Sequence, residues 1–228
     1  VNTPVIVVCD SNVKHKLSGS EYPDRVKQCK AAVAALQAKF PQVKALRDAT
    51  MDMLSEVQAA ASPTSEESSA SSSSGANRSR NSSEDMGGKG NGKGGKHHVS
   101  KKALRAKAQE SKKRRGSKDG SSCDGGMSDV AFMRARHCIG EDLRTQGAAK
   151  AVAKADWATV GKHMTASHRS LQHDFQVSCS ELDFLVDSAL TVPGVLGARM
   201  TGGGFGGCTV TLCTDQASAE MLMEHFRK

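Results

Sequence analysis

The sequence predicts an α+β fold, rich in helix, with a β-hairpin close to its C-terminal end. Three observations carry this. Residues 5–9 (VIVVC) form a short apolar run, mostly β-branched, which reads as a strand. Apolar residues then recur at three- and four-residue steps through several longer segments, as on helices with one buried face. Near the end, the glycine cluster TGGGFGG (residues 201–207) runs into CTVTLC (residues 208–213), whose alternating β-branched pattern reads as a strand entered from a turn.

The helices follow in order. In residues 18–40 (SGSEYPDRVKQCKAAVAALQAKF) Ser20 is placed to cap a helix whose first turn holds Glu21 and Pro23. Val26, Cys29, Val33, Leu36 and Phe40 make its buried stripe. A second block opens at Ser128 as cap, with Phe132, Ala135, Ile139 and Leu143 on one side. Asp156 starts another helix bearing Trp157, Val160, Met164 and Leu171. A third begins at Ser178 or Ser180 and runs through Leu182, Leu185, Val186 and Ala189, until Pro193 and Gly194 stop it. A final amphipathic helix spans about residues 217–226.

Composition narrows the function classes. The 228 residues carry a net charge of +8, but 14 of the 32 Lys and Arg residues lie in residues 62–126 with only 7 acidic ones. That segment is net +7 and the remainder net +1, so the ordered blocks are close to neutral. Residues 62–126 are rich in Ser, Gly and Lys and poor in aliphatic side chains, the composition of a disordered insertion. Within it KKRRGSK (residues 112–118) is a candidate RNA-binding or nuclear-targeting patch. No aromatic residue interleaves its charges for base stacking, which favours a solvated loop and makes a nucleic-acid partner unlooked for. The seven cysteines include no C-x-x-C pair, which points to reduced thiols in a cytoplasmic protein and away from a zinc centre. No apolar run reaches membrane-spanning length. The chain opens on Val1 directly into a strand, so it is read as part of something longer.

The glycine cluster asks for a reason, because ordering glycine is costly. Gly202, Gly204 and Gly207 fit G-x-G-x-x-G, yet that dinucleotide fingerprint needs a helix after it to receive the pyrophosphate, and a strand follows instead. A phosphate loop of the G-K-[ST] type fails as well. A plain hairpin would need one or two glycines. Five of six suggest a backbone that comes close to a ligand, with N–H groups free to meet phosphate or sugar oxygens.

These residues resemble a known motif. GARMTGGGFGGCTVTL (residues 197–212) is similar to the third motif of the GHMP small-molecule kinases, and in detail to that of the galactokinases among them. FMRARHCIGEDLRT (residues 132–145), MTASHRSLQHDFQVSCSELDFLV (residues 164–186) and VPGVLGARMTGGGFGG (residues 192–207) follow in that family's order and spacing. SNVKHKLSGSEYPDRVKQC (residues 11–29) resembles the stretch after the family's catalytic segment. The resemblance covers about residues 1–58 and 128–228. It implies a ferredoxin-like C-terminal domain, an antiparallel sheet packed by helices. Residues 1–58 would end the N-terminal and central region and begin that domain, residues 59–127 would be the insertion, and residues 128–228 the domain proper.

The function implied is ATP-dependent phosphorylation of galactose at its anomeric hydroxyl, by a monomer using Mg2+. The alternatives are an N-acetylgalactosamine kinase or a galactokinase-like sugar sensor that regulates transcription without turnover. In the family an Asp takes or polarises the hydroxyl proton, while an Arg and Mg2+ hold the γ-phosphoryl group. Neither side chain, nor the family's Ser-rich phosphate loop, is found here, so the catalytic and metal-binding groups are expected upstream of Val1. The substrate-binding candidates are Tyr22, Lys14, Gly202, Gly203 and Gly204. Tyr22 matches the family's sugar-contacting Tyr, and a phenol can pack on a sugar face while its hydroxyl reaches a sugar oxygen. Lys14 stands where the family commonly has Arg and lacks the planar fork. Thr201, Phe205, Gly206 and Gly207 complete a loop near the phosphates, Phe205 serving mainly as its anchor. Ser11 and Asn12 are expected to make local hydrogen bonds, His168 to be structural, and Cys179 and Cys208 to be buried thiols. Asp174 and Glu181 are a possible acid and base whose spacing does not require them to meet.

Overall fold

The structure is a computed structural model and describes residues 3–13, 21–61 and 126–227. The apolar run at the start forms β1 (Val5–Asp10), with alternate residues turned toward and away from the core. It pairs antiparallel with β3 (Cys208–Cys213), Val5 facing Cys213 and Asp10 facing Cys208. On its other side β3 pairs antiparallel with β2 (Val195–Thr201), giving the order β1–β3–β2 among the described residues. The expected hairpin is therefore β2–β3, with residues 202–207 as its loop.

The helices are α1 (Glu21–Lys39), α2 (Met51–Ala61), α3 (Asp129–Ala153), α4 (Trp157–Ser170), α5 (Ser180–Ala189) and α6 (Gln216–Arg227). Ser128 caps α3 by accepting from Ala131 N, and Asp156 caps α4 by accepting from Thr159 N, both as expected. Ser20 lies outside the described residues, as does most of the predicted insertion. At the insertion's edges, α2 continues to Ala61 and Met127 is buried in the core.

Two cores result. Leu36 of α1, Leu54 and Val57 of α2, and Ala135 and Ile139 of α3 share one cluster with Val43. Burying a leucine fully, as at Leu36 and Leu54, stabilises by about 1.5–3 kcal/mol. Val186, Ala189, Ala198, Cys213 and Leu222 form the second, between α5, α6 and the sheet.

Two helical stripes differ from the sequence reading. In α3, Leu143 is exposed while Ala131, Arg134 and His137 are buried. The cause is that α3 packs against three helices, α1, α2 and α4. In α4 the expected apolar side is half-buried, and the small and polar residues Gly161, Ser167, His168 and Ser170 face inward. Here α4 lies along the outer edge of β2. A Cβ on Gly161 would overlap the Leu196 carbonyl, and one on Gly197 would overlap the Gly161 carbonyl, so both positions need the bare backbone. Thr165 Oγ1 accepts from Ala198 N at 3.3 Å and His168 Nδ1 from Met200 N at 3.2 Å. The edge N–H groups of β2 are thus satisfied by side chains of α4.

Candidate functional site

The loop between β2 and β3 is built on positive φ angles. Gly202, Gly204, Gly206 and Gly207 all lie there, with φ between 84° and 137°, and Phe205 joins them at 58°. Gly204 is also pressed against α5's approach segment: its missing Cβ would overlap the Val177 carbonyl and come within 2.8 Å of Val177 Cβ. The next peptide fastens the loop there, Phe205 N donating to Val177 O at 2.6 Å. Phe205 packs on Val177, Leu182 and Met200, the anchoring role expected of it. At the far end Ser11 N donates to Gly207 O at 2.9 Å, tying the loop to the end of β1. Thr201, the last residue of β2, is exposed.

Gly203 is different. Its φ is not positive, and a Cβ built on it meets nothing within 4 Å. Within the described residues, neither backbone strain nor crowding requires glycine at this position. Gly203 lines a groove of about 1210 Å³ bounded by α1, the 3-10 turn Leu46–Asp48, α3, the π-helical turn Leu171–Phe175 and the glycine loop.

Tyr22 lines the same groove from the first turn of α1. It is 81% exposed, so it is not held there by packing against its own helix. Arg25, Lys30, Lys44 and Arg47 face the groove together with Glu21, Glu141 and Asp142, a mixed rim of four cations and three anions.

Behind that rim the helices are cross-linked by polar contacts. Arg25 bridges from α1 to the π-helical turn, its Nε donating to Phe175 O at 2.8 Å and Nη2 to Gln176 O at 2.9 Å. Arg134, buried on α3, donates from Nε to Gln28 Oε1 at 2.8 Å, from Nη2 to Gln176 Oε1 at 2.9 Å, and from Nη1 to the Asp174 carbonyl. His137 stacks on Phe175 with ring centroids 4.5 Å apart, and its Nδ1 lies 3.0 Å from Ser170 Oγ. Burial holds His137 well below the usual imidazole value, at about 4. Burial pushes the Glu141 carboxyl up, but hydrogen bonds from Ser167 at 2.6 Å and from Arg144 outweigh it and leave its pKa lowered.

The remaining candidates separate clearly. Lys14 lies outside the described residues. Ser11 and Asn12 make the local bonds expected: Val13 N donates to Ser11 Oγ at 3.3 Å and Asn12 N to Asp10 Oδ1 at 2.9 Å. His168 is fully buried, takes the Met200 N–H on Nδ1, and points Nε2 at Asp183 Oδ1 3.4 Å away, which makes it a structural strut. Asp174 and Glu181 are not brought together; Asp174 bonds Arg136 and Ser170, whereas Glu181 is exposed beside Ser180. Cys179 and Cys208, expected to be buried, are half-buried, and among the described residues Cys213 is the buried thiol. Among the described residues, no group of three or more His, Cys, Asp or Glu side chains is placed to hold a metal ion. No helix described is long and apolar enough to cross a membrane.

Sequence reasoning missed Arg134 and His137. Both lie in RARHC beside the exposed Arg136, and the partners that distinguish them, Gln28, Ser170, Asp174 and Gln176, come from distant stretches.

Residues 148–228 match the family described as GHMP kinases C terminal. The chain is similar to galactokinases. It is 34% identical to the Homo sapiens galactokinase over 223 residues, which is 98% of this chain and 38% of that protein. Over 102 residues, 45% of this chain and 26% of the relative, it is 53% identical to the Bos taurus galactokinase. The fold matches a Lactococcus lactis galactokinase solved in complex with galactose, with a TM-score of 0.60 and 23% identity, covering 97% of this chain and 41% of that one. The chain thus spans well under half the length of these relatives.

Proposed function

We propose that this chain is the C-terminal portion of a galactokinase, which transfers the γ-phosphoryl group of ATP to the anomeric hydroxyl of galactose. The carrying observation is that Tyr22 and Gly203 line one groove, the first an exposed phenol and the second a glycine that no neighbour requires. In this reading the Tyr22 ring packs on the sugar and its hydroxyl bonds a sugar oxygen. The bare Gly203 peptide lets the ligand approach the backbone, while Gly204, Gly206 and Phe205 fix that peptide in place. Thr201, Gly202 and Gly207 carry the loop, and Lys14 is retained as a further cation of the site on the strength of the family motif alone. Similarity to galactokinases over nearly the whole chain, one of them solved with galactose bound, supports the choice of sugar.

The catalytic Asp and Arg belong, in this reading, to sequence preceding Val1, so the chain's own residues hold and orient the sugar. Among the described residues, no group of three or more His, Cys, Asp or Glu side chains is placed to hold Mg2+. The reading also makes the protein a cytoplasmic monomer; the free state of all six described cysteines is consistent with a reducing compartment. The 1–58, 59–127 and 128–228 division belongs to the same proposal.

The test is a phosphoryl-transfer assay on the longer protein that contains this chain, with ATP and galactose against ATP and N-acetylgalactosamine. Galactose 1-phosphate formed at the higher kcat/KM supports the proposal. Preference for N-acetylgalactosamine would reassign the sugar, and galactose binding without turnover would make the protein a sensor.

A further inference from the structure

Four consecutive carbonyls, those of residues 174–177, join the two walls of the groove. The π-helical turn Leu171–Phe175 ends here, and a helix end leaves carbonyls without partners of its own. Arg134 of α3 donates from Nη1 to the first, the Asp174 carbonyl. Arg25 of α1 donates from Nε to Phe175 O at 2.8 Å and from Nη2 to Gln176 O at 2.9 Å. The fourth, Val177 O, takes the Phe205 N–H of the glycine loop at 2.6 Å. One short strip of backbone is thus held by two arginines and in turn holds the loop.

The same arginines tie their helices to each other. Arg134 Nε donates to Gln28 Oε1 at 2.8 Å, which fixes it to α1, and Nη2 donates to Gln176 Oε1 at 2.9 Å. Arg25 Nη1 reaches the same Gln28 oxygen at 3.5 Å. Tyr22 stands one turn before Arg25 on α1, and Gly203 directly precedes Gly204, the residue packed against Val177. A path of covalent and hydrogen-bonded links therefore runs from Tyr22 through Arg25, residues 175–177 and Phe205 to the Gly203 peptide. The planar fork of Arg suits this path. Arg25 spans two successive carbonyls and Arg134 three separate acceptors, which the single nitrogen of a lysine does not. Arg134 is 2% exposed and bonds two glutamine oxygens and a carbonyl, all neutral, so burying its charge costs stability that no carboxylate acceptor offsets.

We propose that Arg25 and Arg134 are positioning residues for sugar binding: by holding the carbonyls of residues 174–176 against α1 and α3, they set the separation between the Tyr22 ring and the Gly203 peptide. Neither guanidinium needs to touch the sugar. The proposal rests on the sugar site assigned to Tyr22 and Gly203, and each arginine acts on galactose only through those two contacts. A guanidinium that served only to hold the fold would behave differently. Its loss would lower Tm and leave KM for galactose alone at temperatures well below it.

The test is steady-state kinetics, with thermal unfolding alongside, on the longer protein that contains this chain. Arg25→Lys keeps the charge and loses the fork, so KM for galactose should rise about tenfold while KM for ATP moves less than about twofold. In a Tyr22→Ala background the contact being positioned is gone. There Arg25→Lys should change KM for galactose by less than about twofold more, a strongly non-additive pair. Gln28→Ala releases Arg134 from α1 without emptying a buried charged site; it should raise KM for galactose about threefold, and it reads the same path if Arg25→Lys does not fold. Wild-type galactose KM in these variants overturns the proposal. So does an Arg25→Lys effect that multiplies in full with that of Tyr22→Ala, or that falls equally on ATP. The sugar site itself is read from the single variants Tyr22→Ala and Gly203→Ala. If both leave galactose KM unchanged, the site assignment falls and the positioning role with it. If they raise it and Arg25→Lys and Gln28→Ala do not, the site stands and only the positioning role is removed.

Discussion

Gly204 is pinned against Val177: it lies at φ 86° with no room for a Cβ beside the Val177 carbonyl, whose oxygen accepts the N–H of the next residue. Its neighbour Gly203 has neither constraint. The two glycines therefore fail in different ways when a methyl group is added. Gly204→Ala incurs left-handed strain and an overlap with backbone that cannot swing aside, and should destabilise the chain by about 3 kcal/mol, read as a fall in Tm. Gly203→Ala should leave Tm within the range of a surface change, about 0.5 kcal/mol. Its cost should appear in galactose binding instead, as a roughly tenfold loss, about 1.4 kcal/mol. Unchanged affinity in Gly203→Ala would mean that no ligand approaches that peptide.

Tyr22 admits a similar separation. Because it is 81% exposed, Tyr22→Ala should unfold at the wild-type temperature within error. In the kinase assay on the longer protein, KM for galactose should rise about tenfold, with a smaller rise in Tyr22→Phe, which keeps the ring and loses only the hydroxyl. Steady-state kinetics at saturating ATP reads both. A Tyr22→Ala protein with wild-type galactose KM and kcat removes Tyr22 from the site.

How far the sequence reaches depends on what each residue touches. β1, the β2–β3 hairpin and the caps at Ser128 and Asp156 follow from local chemistry, and local chemistry is visible in a sequence. The glycine loop was legible as a whole, yet Gly203 and Gly204 are indistinguishable as letters and differ only in φ and in what lies opposite. Arg134 and Arg136 make the same point. They are two residues apart in RARHC, but one is buried among Gln28 and Gln176 and the other stays at the surface beside Asp174. The inward face of α4 escaped periodicity because a helix packed along a strand edge needs glycine and hydrogen-bonding side chains there, not a leucine stripe.

His137 gives the fold a pH dependence whose sign is fixed. Its pKa falls from 6.5 to about 4 on folding, because the ring is buried between Phe175 and Ser170. Between those values the unfolded chain binds the extra proton, so stability falls as the pH drops from about 6.5 toward 4. The full excursion corresponds to about 3 kcal/mol. Urea unfolding across this window should show the loss, and His137→Gln should flatten that part of the curve. A wild-type profile that is level from pH 7 to 4.5 would contradict the buried neutral imidazole. The lowered carboxyls Glu141 and Asp183 act further down: their contribution is present above the ordinary carboxylate pKa and is lost as pH falls through the lower folded values.

The two ends of the basic segment are held together by the fold. Gln58 on the last turns of α2 donates to Asp129 at the start of α3 at 3.3 Å, and Val57 and Met127 share the first core. The chain that leaves α2 therefore re-enters beside it, and the span to be bridged is short. Replacing residues 63–124 by a Gly/Ser linker of roughly eight residues should preserve the fold. It should also raise stability, since shortening the closure by about three doublings saves roughly 2 kcal/mol of loop entropy. Urea unfolding of the two chains measures this, and galactose affinity should be the same in both. If the segment were a nucleic-acid-binding element, the shortened chain would lose RNA or DNA affinity that the parent shows at moderate salt, with a salt slope set by the basic residues removed. Equal, weak binding by both chains leaves the segment as a solvated insert. A shortened chain that fails to fold would mean that residues 63–124 contribute contacts to the core that α2 and α3 do not supply alone.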